Sequence, residues 1–71
     1  MNIFIYKTNI ASEHDLKTLE RALEPHECIS RWSVDCEDID HVLRVETTNT
    51  NTGYIARIVA QAGYHCEELP D

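Results

Sequence analysis

The fold of this chain is decided by two alternating segments, Arg31-Trp32-Ser33-Val34-Asp35-Cys36 and Val42-Leu43-Arg44-Val45-Glu46. In the first segment, apolar and polar side chains alternate with the period of a strand that has one buried face. In the second, Leu43 and Val45 alternate with their neighbours in the same way. Residues 37–40 between them are mostly acidic and are typical of a turn. The pattern therefore predicts a hairpin of two strands.

Helical spacing appears on both sides of this hairpin. Before it, a pattern that starts at Ser12 stops at Pro25, because proline disfavours a helical conformation in the residue before it. After it, a second pattern ends at Gly63, where a helix takes a left-handed residue. The two apolar stripes consist of Leu16, Leu19, Ala22 and Leu23, and of Ile55, Ile58, Val59 and Ala62. The sequence thus predicts one helix on either side of the hairpin.

Both ends of the sequence are predicted to contain strands. Ile3-Phe4-Ile5-Tyr6 is a short β-prone apolar run, and residues 64–69 have room for a last strand before Pro70. The resulting order, βαββαβ, is the ferredoxin-like arrangement. It is an α+β fold in which a four-stranded antiparallel sheet carries two helices on one face. We expect residues 1–71 to form a single two-layer domain of this kind.

The composition argues against several classes of function. Six Lys and Arg residues stand against 13 Asp and Glu residues, a formal net charge of −7, whereas nucleic-acid binding depends on cationic side chains. We therefore expect no nucleic-acid partner. We also expect no leader and no membrane segment, since no basic region or long apolar run opens the chain. The three cysteines contain no Cys-x-x-Cys pair and are interpreted as reduced thiols of a cytoplasmic protein.

Four segments, in this order, resemble the heavy-metal-associated (HMA) domains of the copper-chaperone-like family. The resemblance covers nearly the whole chain and implies the same ferredoxin-like fold. The segments are Leu19-Glu20-Arg21-Ala22-Leu23 for the end of the first helix, residues 29–35 and 42–45 for the hairpin, and residues 55–64 for the second helix with its closing Ala-Gly-Tyr.

The metal motif of that family, Gly-Met-Thr-Cys-x-x-Cys, falls on Asn9-Ile10-Ala11-Ser12-Glu13-His14-Asp15 in this sequence. Ile10 matches the buried apolar Met, but the two cysteines are replaced by Ser12 and Asp15. Neither is the soft ligand that Cu(I) selects, so the resemblance implies a degenerate member without the thiolate site. When residues are counted back from this motif, the family's pattern predicts that Ile5 and Lys7 point toward the core. The polarity of Lys7 instead favours Phe4 and Tyr6 as the inward residues. The sequence leaves that register open.

Ser12 and Asp15 match a helix cap better than a metal site. Ser-x-x-Asp before an apolar helical run is a variant of the capping box, and Glu13 adds negative charge at the positive end of the helix. The alternative is a weak Zn²⁺ or Ni²⁺ site formed by His14, Glu13, Asp15 and, from a neighbouring loop, His65. No histidine pair has ligand spacing, and a zinc site needs at least three protein ligands. We therefore expect no cofactor, with a weakly bound divalent metal as the alternative.

The sequence favours a non-enzymatic protein-interaction or regulatory module. The sequence shows neither a positioned base nor a helix N-terminus for any cysteine, and fold alone does not imply an activity. The fold leaves one face of its sheet uncovered, and a docked protein or a second copy of the chain would occupy that face or a sheet edge. The candidate interaction residues are Ser30, Arg31, Ser33, Arg44 and Glu46. The second hypothesis is a binder or carrier of Zn²⁺ or Ni²⁺ that uses His14 and its neighbours.

Overall fold

The computed structural model describes residues 1–69 and contains the six predicted elements in the predicted order. They are β1 (Asn2–Thr8), α1 (Glu13–Leu23), β2 (Ile29–Asp35), β3 (Val42–Thr47), α2 (Thr52–Gln61) and β4 (Cys66–Glu68). The four strands form one antiparallel sheet in the order β2-β3-β1-β4. The predicted ferredoxin-like fold is confirmed. Within residues 1–69, no helix is both long enough and apolar enough to cross a membrane.

The register of β1 is the one that the polarity of Lys7 indicated. Tyr6 is fully buried and Thr8 nearly so, whereas Lys7 is exposed. The inward placement of Ile5 and Lys7 that follows from the HMA motif is therefore wrong. Lys7 keeps its ammonium group in solvent, 3.6 Å from the carboxylate of Asp40. Tyr6 tolerates burial because its hydroxyl donates a 2.7 Å hydrogen bond to the backbone oxygen of Thr52.

The core lies between the two helices and the inner face of the sheet. Its members come from β1, α1, β3, α2 and the loop before α1. Trp32 and Val34 of β2 and Cys66 of β4 are only partly buried and pack against this core. Ile10, in the loop before α1, is fully buried like the helix positions around it. The buried apolar residues are Tyr6, Ile10, Leu19, Leu23, Leu43, Val45, Ile55, Ile58 and Val59.

The last strand is shorter than the sequence predicted. Gly63 has a φ of 98°, and the amide of Tyr64 then donates to the oxygen of Val59 at 3.3 Å, which closes the end of α2. The amide of His65 donates to Oδ1 of Asn9 at 2.8 Å. Residues 64 and 65 are therefore used in ending the helix, and pairing with β1 begins only at Cys66. Pro70, named as the stop of this strand, lies outside the described residues.

Candidate functional site

The loop before α1, where the sequence resemblance predicts the position of the HMA metal motif, ends in a complete helix cap. Ser12, in an extended conformation, is the N-cap of α1, and its hydroxyl accepts the amide proton of Asp15 at 3.1 Å. The Oδ2 atom of Asp15 accepts in return from the amides of Ser12 at 3.1 Å and Ala11 at 3.2 Å. These bonds satisfy amide groups that a helix start otherwise leaves without partners. Ser12 and Asp15 thus hold each other through reciprocal hydrogen bonds.

The second oxygen of the Asp15 carboxylate binds a distant residue. Oδ1 accepts a 2.9 Å hydrogen bond from the hydroxyl of Tyr64, which follows α2. The amides of Ala11 and Ser12, in that order of effect, and then the Tyr64 hydroxyl lower the pKa of Asp15 from 3.8 to about 2. Asp15 is therefore ionised at neutral pH, and both of its oxygens already accept hydrogen bonds.

The structure does not bring the four alternative metal ligands together. Asp15 is engaged in the cap. His65 lies beside Glu67 of β4, with 3.8 Å between its Nε2 and a carboxylate oxygen of Glu67. Glu13 and His14 are exposed on the first turn of α1. In the part of the chain from 1 to 69, no three His, Cys, Asp or Glu side chains are grouped so that they could hold a metal ion.

Two cysteines, Cys36 and Cys66, lie near this loop. The sulfur of Cys36 is 4.0 Å from the backbone oxygen of Ile10, to which its thiol donates a weak hydrogen bond. Cys66 pairs with Thr8 at the end of β1, and burial raises the pKa of its thiol to about 11. Cys66 is therefore a protonated, half-buried thiol at neutral pH, whereas a metal ligand or a nucleophile must be the thiolate.

The side of the sheet away from the helices is the larger candidate surface, here called the open face. Across its middle, Ile5, Arg44 and Ser33 are aligned on three neighbouring strands. Its members are the outward residues of the four strands: Ile3, Ile5, Lys7, Arg31, Ser33, Asp35, Val42, Arg44, Glu46 and Glu67. Two shallow depressions of about 290 and 330 Å³ lie on it, and Ser33 and Arg44 line both.

Four of the five residues named from the sequence lie together on the open face. Arg31 and Glu46 are partners across β2 and β3, with 3.7 Å between Nε and Oε2, and both line the first depression with Ser33 and Arg44. Ser30 does not join them, because it is the extra residue of a β-bulge between Ile29 and Arg31. Sequence reasoning missed the apolar members, Ile3, Ile5 and Val42, since it left the facing of β1 open.

Charge separates the open face from the rest of the molecule. The open face has three cationic and three anionic side chains, so it is formally neutral. The other described residues contain three Lys or Arg against nine Asp or Glu. The negative charge of the protein is thus concentrated away from the open face, on the helices, loops and turns.

The fold and this surface together define a small ferredoxin-like α+β domain. Comparison with solved structures narrows this to an HMA-like fold. The N-terminal domain of PacS from Synechocystis PCC6803 superposes with a TM-score of 0.81 at 15% identity, covering 99% of this chain and 100% of that one. The yeast copper transporter domain CCC2A, solved in apo and Cu(I)-loaded states, gives 0.80 at 18% identity, with 100% and 99% covered.

A zinc-binding relative of the fold is similar as well. The N-terminal domain of ZntA in its Zn(II) form has a TM-score of 0.76 at 15% identity, and the alignment covers 93% of this chain and 89% of that one. No family model matches the sequence, and neither does any curated protein. The similarity therefore defines the fold, and function has to be argued from the side chains of this chain.

Proposed function

We propose that this chain is a non-enzymatic protein-interaction or regulatory module that binds a net-basic partner protein through the open face. The observation that carries the proposal is the composition of this face. Ile3 is 39% exposed and lies in the same outward rows as Ile5, Val42 and the two arginines of the face. Apolar side chains combined with arginine are characteristic of protein interfaces.

The surrounding charge favours a basic partner. Nine acidic against three basic side chains lie outside the open face among residues 1–69, and a field of one sign attracts a partner of the opposite sign and speeds its association. The face itself is formally neutral, so docking there does not bring a net charge into the contact. Increasing salt is expected to slow association, because ions screen the long-range attraction.

The geometry of the motif loop supports the same proposal. A metal carrier needs ligand atoms that are available to bind an ion. In Asp15, one carboxylate oxygen accepts hydrogen bonds in the cap and the other accepts one from Tyr64. The loop then acts as a rigid start for α1, and the uncovered sheet is the larger surface left for recognition.

The test compares two charge reversals of the same size. Immobilised wild-type protein, Arg44→Glu and Arg57→Glu are used to capture proteins from native cell extract. Arg44 lies at the centre of the open face, whereas Arg57 is exposed on α2. A protein retained by the wild type and by Arg57→Glu, but lost with Arg44→Glu, is then titrated into ¹⁵N-labelled domain. Amide shifts confined to β1, β2 and β3 support the proposal; shifts confined to the helices, or capture unaffected by Arg44→Glu, contradict it.

The alternative function is weak binding of a divalent metal near His14. The observation in its favour is that His14 lies exposed on the first turn of α1, between the positions of the family's two cysteines, in a fold whose relatives include Cu(I)- and Zn(II)-bound domains. Titration with Zn²⁺ while the histidine ring protons are observed distinguishes the two functions. A carrier must shift the His14 signals with saturation at micromolar metal, and this effect must disappear in His14→Ala.

A further inference from the structure

The strand β2 forms a long edge of the sheet. It runs over seven residues, Ile29–Asp35, and in the sheet of residues 1–69 it pairs on one side only, with β3. The bulge is restricted to its first residues, so the pairing from Arg31 to Asp35 is regular. Proteins usually protect such an edge with proline, a β-bulge, charged side chains (above all lysine) or a cover, because its unpaired backbone groups accept another strand. This segment contains neither proline nor lysine.

Symmetry limits how a second copy could pair with this edge. Two copies of β2 that lie antiparallel in one sheet are related by a two-fold axis perpendicular to the sheet. Facing residues must then point to the same side, because side chains alternate between the two faces along a strand. The axis therefore has to pass through a residue position, and within the regular segment the candidates are Arg31, Trp32, Ser33, Val34 and Asp35.

The side chains of β2 are complementary about Ser33. With the axis there, Arg31 faces Asp35 of the second copy twice, once on each side, and Trp32 faces Val34 twice. An axis at Arg31 sets two arginines against each other, and an axis at Asp35 sets two aspartates against each other. An axis at Trp32 or Val34 leaves Arg31 without an acidic partner inside the strand. Opposite charges and aromatic–β-branched pairs stabilise facing strand positions, while like charges destabilise them.

We propose that two copies of this chain dimerise by antiparallel pairing of β2 about Ser33. The sheet becomes continuous over eight strands, with all four helices on one side and the two open faces joined on the other. The Arg31 side chain is 81% exposed, so its guanidinium is free to reach across the edge while still beside Glu46. This goes beyond the proposed function, because it uses the backbone edge of β2 and leaves the open face accessible.

Charge reversals and their combination test the register. Sedimentation equilibrium at about 0.15 M salt, where a Debye length of about 8 Å screens the remaining negative charge, is expected to show a dimer for the wild type. Arg31→Asp and Asp35→Arg are each expected to raise the dissociation constant about tenfold or more, since each converts two opposite-charge pairs into like-charge pairs. An equimolar mixture of the two variants restores opposite-charge pairing and is expected to recover dimerisation.

A matched control and a second variant separate dimerisation from folding. Arg44→Asp makes the same change of charge on β3, away from the edge, and is expected to leave the dimer intact. Asp35 also accepts hydrogen bonds from the amides of Glu37 and Asp38 at 3.1 and 3.3 Å. Asp35→Asn keeps that oxygen and removes the charge, so it is expected to weaken the dimer without loosening the turn. Thermal unfolding confirms that each variant is folded.

Cross-linking locates the axis. Ser33→Cys places two thiols at facing positions, where the Cβ atoms of paired strands are about 4.5–5.5 Å apart, close enough for a disulfide to form with a small adjustment. Under mild oxidation this variant is expected to form a covalent dimer bridged at position 33, identified by mass spectrometry of the digest. Thr50→Cys, in an exposed loop, is the control and is not expected to cross-link. The fluorescence of Trp32, the only tryptophan, should shift to the blue as dimer forms.

Three results would overturn the dimer: a wild type that stays monomeric at millimolar concentration, a mixture of the two reversals that recovers nothing, or a cross-linking yield for Ser33→Cys no higher than that for Thr50→Cys. The same variants test the proposed function independently of the dimer. Arg44→Asp disrupts partner capture but not the dimer, and Arg31→Asp mixed with Asp35→Arg restores the dimer whatever partner is bound.

Discussion

The hydroxyl of Tyr64 donates a 2.9 Å hydrogen bond to Oδ1 of Asp15, a residue 49 positions earlier in the sequence. The bond joins the first turn of α1 to the segment that follows α2. Because Oδ2 of the same carboxylate accepts from the Ser12 and Ala11 amides, one side chain serves both a local cap and a long-range contact. A loop that resembles a metal motif is thereby held in one conformation by ordinary hydrogen bonds.

Removing the Tyr64 hydroxyl is expected to raise the pKa of Asp15 only in part. Tyr64→Phe deletes one stabiliser of the ionised carboxylate, but the amides of Ala11 and Ser12, which lower this pKa more, remain in place. The pKa should therefore rise from about 2 and stay below 3.8. Carboxyl ¹³C shifts followed against pH measure it. Tyr54→Phe, whose hydroxyl contacts His26 instead, is the control, and an unchanged pKa in Tyr64→Phe would contradict the contact.

Removing the cap hydroxyl is expected to destabilise the domain. Ser12→Ala leaves the amide of Asp15 without its acceptor, which typically costs about 1 kcal/mol in the free energy of unfolding. Urea unfolding followed by circular dichroism measures the change. Thr50→Ala, in an exposed loop, is the comparison variant and should have little effect. Equal stability of Ser12→Ala and the wild type would mean that the cap contributes nothing.

Acid should unfold the wild type partly through Asp15. The pKa of Asp15 is about 2 in the folded protein and 3.8 in the unfolded reference, so the ionised carboxylate stabilises the fold above pH 3.8. That contribution is lost as the pH falls toward 2. In Asp15→Asn, the free energy of unfolding should change less between pH 4 and 2 than in the wild type. Glu13→Gln leaves the hydrogen bonds of Asp15 intact and should retain the wild-type dependence; a flattened profile in both variants would point to another group.

At the opposite end of the pH range, Tyr6 is expected to limit stability. Burial, with a smaller effect from Cys66 and Glu68, raises the pKa of Tyr6 above its usual value of 10.0. The neutral phenol therefore stabilises the fold below pH 10, and this contribution falls as the pH rises toward the higher folded pKa. Tyr6→Phe should lose about 1 kcal/mol at pH 7 with the hydrogen bond to Thr52. It should also show a weaker decline above pH 10, whereas Thr50→Ala, in an exposed loop, should decline as the wild type does.

Much of the architecture could be predicted because it depends on near neighbours. The alternation around Trp32 and Val34, the stripe around Leu19 and the left-handed position of Gly63 are each properties of a few adjacent residues. The cap has the same origin, since Ser12 and Asp15 are three positions apart and the side chain of each accepts a hydrogen bond from the backbone amide of the other. Short-range patterns of this kind specify where elements begin, where they end and which side is apolar.

Only the tertiary structure decided what depends on strand register and on contacts between distant segments. It set Tyr6 inward and Lys7 outward, since a one-residue slip in β1 would exchange the two faces. It also moved Ser30 out of the predicted interaction group by a bulge, and it placed Tyr64 against Asp15. The physical reason is that each of these outcomes is the sum of many contacts across the core and the sheet, and no single stretch of the chain contains that sum.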